Sequence, residues 1–98
     1  MRLRAGIRFV ADFRIAETVH FQKKIKERPY VSLYGKITDY VYPLLRKNPW
    51  FGPNIKKLKG EFEGVYRYRI GNHSLFYVVR EDEILVLVLD IEQRKDAY

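Results

Sequence analysis

The chain predicts an α+β fold, a two-helix hairpin packed on one face of a small, mostly antiparallel sheet. Three observations carry that prediction. Tyr30, Tyr34, Ile37, Val41 and Leu44 recur at spacings of 4, 3, 4 and 3, the period of one helix face. Val65 to Ile70 and Leu75 to Val79 flank Gly71-Asn72, which is the pattern of strand, tight turn and returning strand. The run ILVLVLDI, residues 84 to 91, is β-rich and apolar on both faces, as a strand in the middle of a sheet must be.

Taken in order, residues 1 to 11 (MRLRAGIRFVA) are basic with scattered apolar positions and read as an arm or an extra strand. DFRIAET then sets Phe13 and Ile15 on one face of a short strand, ahead of Thr18. Thr18 is a fitting N-cap for a first helix reaching to about Glu27, with Phe21 and Ile25 four apart on its buried side. Arg28-Pro29 ends that helix, because proline pushes the residue before it out of helical geometry. The second helix runs from about Tyr30 to Lys47, and Pro43 is expected to kink or loosen its last turns. NPWFGPNIKKLKGEFEG, residues 48 to 64, reads as a loop, since Asn-Pro and Gly-Pro force turns. The hairpin follows, Arg80 to Glu83 supply the next turn, and 84 to 91 close the sheet. Without repeats, low-complexity tracts or a linker, residues 1 to 98 are expected to form a single domain.

Composition narrows the chemistry. Hydrophobic residues make up 47% and charged residues 32%, the balance of a globular chain. Nineteen Lys and Arg against twelve Asp and Glu leave a net charge of +7, which points to a polyanionic partner, nucleic acid or acidic protein. With no cysteine there can be no disulfide, zinc-cysteine site or thiol nucleophile, and a reducing compartment is tolerated. The longest apolar run is far short of a membrane span, and Arg8 interrupts the one stretch that could imitate a signal peptide. A soluble, cytoplasmic protein with no membrane partner is the expectation.

The alternation YRYRI gives the central constellation. With period 2, Tyr66, Tyr68 and Ile70 point one way while Arg67 and Arg69 point the other. The arginines could simply solvate the outer face of the sheet, or they could present cations to a phosphate. Residues 46 to 80 carry eight basic side chains and only two acidic ones, so charge is concentrated there. Interleaved with Trp50, Tyr66, Tyr68 and Tyr77, such a tract suits single-stranded RNA, although Tyr68 and Tyr77 fit the core better than a stacking surface. His20 reads as a surface or packing residue. His73, at the hairpin tip beside the basic face, could contact RNA or act as acid or base, or could occupy a turn for no chemical reason. No metal-ligand spacing, carboxylate dyad or serine motif is present, so neither metal nor cofactor is expected. Chemistry in this chain would run on arginine, lysine and tyrosine, stabilising a phosphoryl transition state with the 2′-hydroxyl of RNA as nucleophile.

NIKKLKGEFEGVYRYRIGNHSLFYVV followed by ILVLVLDIEQRKDAY resembles the RelE branch of the RelE/ParE toxin superfamily, the toxins of type II toxin-antitoxin pairs. The resemblance implies a β-α-α-β-β-β fold and a ribosome-dependent mRNA endoribonuclease held inactive by a cognate acidic antitoxin. It implies that Arg67 and Arg69 grip the scissile phosphate, and that Arg94 and Tyr98 aid leaving-group protonation and stack on a base. Lys56, Lys57 and Lys59 around KLKG would contact RNA backbone. This chain departs from the pattern at Ser74, where the family usually has an arginine, and at Gln93, where many relatives have histidine. Loss of one preorganised charged donor costs about 10² to 10³ in rate, so weakened activity is expected. Two alternatives stay open: a non-catalytic ParE-like binder that blocks DNA gyrase, and a degenerate toxin that binds only RNA or antitoxin.

Overall fold

The computed structural model describes residues 12–94 of the 98. Over that span the order is strand β1 (Arg14–Glu17), helix α1 (Val19–Lys24), a helical stretch in four parts, then four strands. The helical stretch opens with a 3-10 turn, Val31–Leu33, and continues as α2 (Tyr34–Lys36), a π turn (Ile37–Val41) and α3 (Tyr42–Lys47). The strands are β2 (Ile55–Lys57), β3 (Val65–Ile70), β4 (His73–Arg80) and β5 (Leu85–Gln93). The described residues form one five-stranded sheet in the order β1-β5-β4-β3-β2. β1 runs parallel to β5, and the other neighbours are antiparallel. The apolar run expected in mid-sheet is therefore β5, paired on both sides.

Local chemistry explains most of the boundaries. Thr18 has extended backbone geometry, accepts the Phe21 N–H on its hydroxyl at 3.0 Å and donates to the Leu89 carbonyl at 3.1 Å. It caps α1 and fastens that helix to β5. The first helix stops at Lys24, shorter than the expected Glu27, and turns fill the way to Pro29. Gly71 takes φ +57° while Asn72 keeps a negative φ, the signature of a two-residue turn with glycine at its first central position. Pairing then starts at once, Ile70 opposite His73, so β4 begins two residues before the expected Leu75. Polar His73 and Ser74 hide that start from any hydrophobic pattern.

Pro43 acts in the direction opposite to the expected one. α3 continues to Lys47, and the irregularity lies before the proline, in the π turn. Proline lacks an N–H for the carbonyl of Asp39 and crowds it, so the preceding turn widens, and the Tyr42 N–H bonds Ile37 O, five residues back. The extra residue in that turn also rotates the buried face by one position. Ile37, Val41 and Leu45 are buried, whereas Leu44, expected in the core, is 54% exposed.

The core lies between these helices and one face of the sheet. Phe21, Ile25, Ile37, Val41 and Leu45 meet Tyr68, Ile70, Leu75, Tyr77, Val86, Val88 and Ile91. β2 corrects the reading of 48–64 as a loop: Ile55 to Lys57 pair with Tyr68 to Tyr66. Three residues, two of them lysine, are too few to show a period of two. The expected arm at 1 to 11 lies outside the described residues.

Candidate nucleic-acid interface

Cross-strand partners point to the same face of a sheet, so pairing sorts every side chain. Ile55, Tyr68 and Leu75 form one row, Lys57, Tyr66, Tyr77 and Val88 another, and both face the helices. Lys56, Arg67, Phe76 and Asp90 form a row on the opposite, open face. Arg69, Ser74 and Glu92 form the next. The arginines of YRYRI thus stand on the face opposite the helices that cover the core.

The tyrosine side of β3 is a fixed base for them. Tyr66 and Tyr77 rings stack with centroids 5.7 Å apart and planes 16° from parallel. The buried Tyr77 hydroxyl donates to Pro49 O at 2.7 Å, and burial pushes its ionisation upward. Asn54 donates to the Tyr68 hydroxyl at 3.4 Å. Both tyrosines are core residues.

On the open face, Arg67 is half-buried and its Nε has no hydrogen-bond partner among the described residues. Burial first, then the charges of Arg69 and Arg94, lower this guanidinium from its ordinary value, yet arginine remains the cation. Two cations thus act on Arg67, and among the described residues no salt bridge joins it to a carboxylate, a position that an anion would relieve. Arg94 reaches the group because β5 ends beside the hairpin, where its N–H meets Asn72 O. Tyr98 lies outside the described residues.

The remaining expected contacts divide. Lys56 stands opposite Arg67 on the open face, Lys57 is on the helix-side row, and Lys59 is exposed in the loop beyond β2. His73 is turned away from the arginines. It pairs with buried Ile70, its ring meets Tyr30 edge-on at 5.8 Å, and Nε2 is buried without a partner among the described residues. A turn tip is open to both faces in sequence, but β4 starts at His73 and the pleat sends it to the helix side. The structure therefore corrects its placement beside the basic face.

Other features of the open face were missed. A groove of about 490 Å³ lies beside Arg67, lined by the apolar Leu58, Phe62, Val65, Phe76 and Leu89 and by His20, Asp90 and Glu92. Counting outward from the two-residue turn at Gly71 would have placed Phe76 opposite Arg67. Lys24 bridges Asp90 at 3.1 Å and Glu92 at 2.7 Å, and His20 Nε2 lies 3.0 Å from Asp90. Burial raises the Asp90 pKa, but Lys24, the Ile91 N–H and His20 outweigh it, leaving Asp90 below its ordinary value. Among the described residues no cluster of three or more His, Asp or Glu could hold a metal, and no helix is long and apolar enough to cross a membrane.

A small mixed sheet with helices on one face and an arginine cluster on the other defines the class to which comparison leads. Residues 23–98 match the family described as ParE toxin of type II toxin-antitoxin system, and the chain belongs to that family. Its sequence is 44% identical over 45 residues to the protein named RelE1 of Methanocaldococcus jannaschii, a match covering 46% of this chain and about half (49%) of that protein. The fold resembles the RelBE2 toxin-antitoxin complex of Mycobacterium tuberculosis, with TM-score 0.75 and 18% identity, covering 92% of this chain and 100% of the other. It also resembles the RelE-RelB complex of Pyrococcus horikoshii, with TM-score 0.68 and 22% identity over 88% and 99% of the two chains. Isolated Escherichia coli RelE gives 0.64 and 16% over 87% of each. The expected RelE/ParE superfamily and α+β toxin fold are thus shown, with a fifth strand and one parallel pairing added.

Proposed function

We propose that the protein is a ribosome-dependent mRNA endoribonuclease, the toxin of a pair whose other member is an acidic antitoxin. One observation carries the reading: Arg67 is half-buried with an unpartnered Nε, within the field of Arg69 and Arg94. A phosphodiester anion supplies the acceptor that the Arg67 Nε lacks among the described residues, and a charge opposite to the cations acting on it. With the phosphate held there, the RNA 2′-oxygen attacks phosphorus and the bond to the 5′-oxygen breaks, leaving a 2′,3′-cyclic phosphate. The 2′ proton passes to water and the departing 5′-oxygen takes one up, because guanidinium is too weak an acid to exchange readily. The arginines stabilise the additional negative charge on the phosphoryl oxygens as it develops. Lys56 on the same face extends the cationic track along the backbone. The antitoxin partner is supported by net charge +7 and by the toxin-antitoxin complexes that share the fold.

A second reading has its own support. The matching family is described as ParE, and Ser74 rather than a cation stands opposite Arg69, which favours a non-catalytic binder of DNA gyrase. Adding the protein to a translating extract, mapping mRNA ends by primer extension and running a gyrase supercoiling assay in parallel separates the two. Codon-phased cuts with normal supercoiling are expected. Intact mRNA with blocked supercoiling would replace the nuclease by the gyrase binder.

A further inference from the structure

We propose that the groove beside the arginines is a nucleobase subsite, taking the base of a nucleotide whose phosphate lies on Arg67 and Arg69 and favouring bases with an exocyclic amine. The inference rests on the RNA-cleaving reading and adds a recognition element to it. Position comes first. Phe76, in the groove wall, is the cross-strand partner of Arg67, and adjacent strands lie about 4.8 Å apart. Phosphate site and groove are therefore within the reach of one nucleotide.

The lining then selects the ligand. Its floor and walls are apolar, with two phenylalanines, and a groove of about 490 Å³ has room for a base lying flat. Phe62 is 58% exposed at its mouth, an aromatic ring left in solvent where a base could stack. Two carboxylates, Asp90 and Glu92, also line the groove, and when ionised they only accept hydrogen bonds. Lys24 and His20 hold Asp90, and the same lysine holds one oxygen of Glu92. An adenine or cytosine amine can donate to such a carboxylate, whereas the uracil carbonyl at the equivalent position meets like charge. The loop agrees: Leu58 and the exposed Lys59 follow β2 directly, so one loop offers both a backbone cation and a base-contacting surface.

Fluorescence anisotropy with short single-stranded RNA homo-oligomers tests this, using wild type, Phe62→Ala and Arg67→Ala, with thermal melts as a fold control. Oligo(C) is expected to bind more tightly than oligo(U), a comparison at equal ring size. Phe62→Ala should weaken oligo(C) binding at least about fivefold, the loss of one base-aromatic stack, and shrink the preference over oligo(U). Its dependence on salt should match wild type, while Arg67→Ala should reduce the salt slope by about 0.7, one phosphate contact. If Arg67→Ala weakens binding but Phe62→Ala does not, or if oligo(U) binds as well as oligo(C), the subsite is overturned and the phosphate site stands. Should Phe62→Ala loosen only the complex with the antitoxin, the groove is a protein-docking surface and the subsite is likewise overturned. No Arg67-dependent RNA binding by wild type would remove the nuclease reading and the subsite together.

Discussion

Asp90 shows how single side chains hold this fold together around its open face. It accepts from Lys24, from His20 and from its own strand's Ile91 N–H at 2.8 Å, joining α1 to β5. Glu17 does the same on the other side, accepting from Tyr34 at 2.8 Å and Tyr42 at 2.7 Å and so tying β1 to the helices. Each has a pH consequence. The folded pKa of Asp90 is depressed, so it contributes stability above the unfolded value near 3.8 that is lost as pH falls through the lower folded value. Asp90→Asn is therefore predicted to gain less stability between pH 3 and pH 6 than wild type in urea titrations. Burial, then the hydrogen bond to Glu17, raises Tyr34 to about 12 from 10.0. Its share of stability is whole below pH 10 and declines as pH approaches 12, a decline that Tyr34→Phe should lessen. The side-chain pairings span 17 to 70 residues of chain and leave no local pattern, which is why the sequence reading assigned no role to Glu17 or Asp90.

Among the elements, the helical stretch from Tyr34 to Lys47 shows what periodicity can and cannot reveal. The repeat through Ile37 and Val41 marked the buried face, because each repeated position meets the sheet. Beyond Val41 the repeat misleads, since the π turn before Pro43 adds a residue and exchanges Leu44 for Leu45. Leu45→Ala is predicted to cost about 2–5 kcal/mol in chemical denaturation, and Leu44→Ala to stay within about 0.5 kcal/mol of wild type. Equal losses at the two positions would contradict this register. The hairpin was legible for a different reason. Gly71 supplies a positive φ that a side chain resists, and the residues around it alternate. Ile84, just before β5, has φ 50° without being glycine, a strained geometry for a β-branched residue. Ile84→Asn should raise stability by up to about 1 kcal/mol in the same assay.

The whole molecule divides its labour between two faces of one sheet. One is sealed by helices and tyrosines, and the other gathers Lys56, Arg67, Arg69 and an apolar groove. The arginine half of that face was readable because alternation of two residue types survives without knowledge of the fold. The groove was not, since Leu58, Phe62, Val65, Phe76 and Leu89 come together only when β2 to β5 pair. His73 was misplaced because a turn tip reveals no facing until its strand is known. A net charge of +7 favours long-range capture of polyanions, so affinity for RNA should fall steeply with salt. The central claim, however, concerns rate: Arg67 is the guanidinium that holds the scissile phosphate. The most direct test is single-turnover cleavage of mRNA on programmed ribosomes, comparing wild type with Arg67→Ala at matched melting temperature. A fall of about 10² to 10³ in rate is predicted, and a variant that cleaves as fast as wild type would contradict the account.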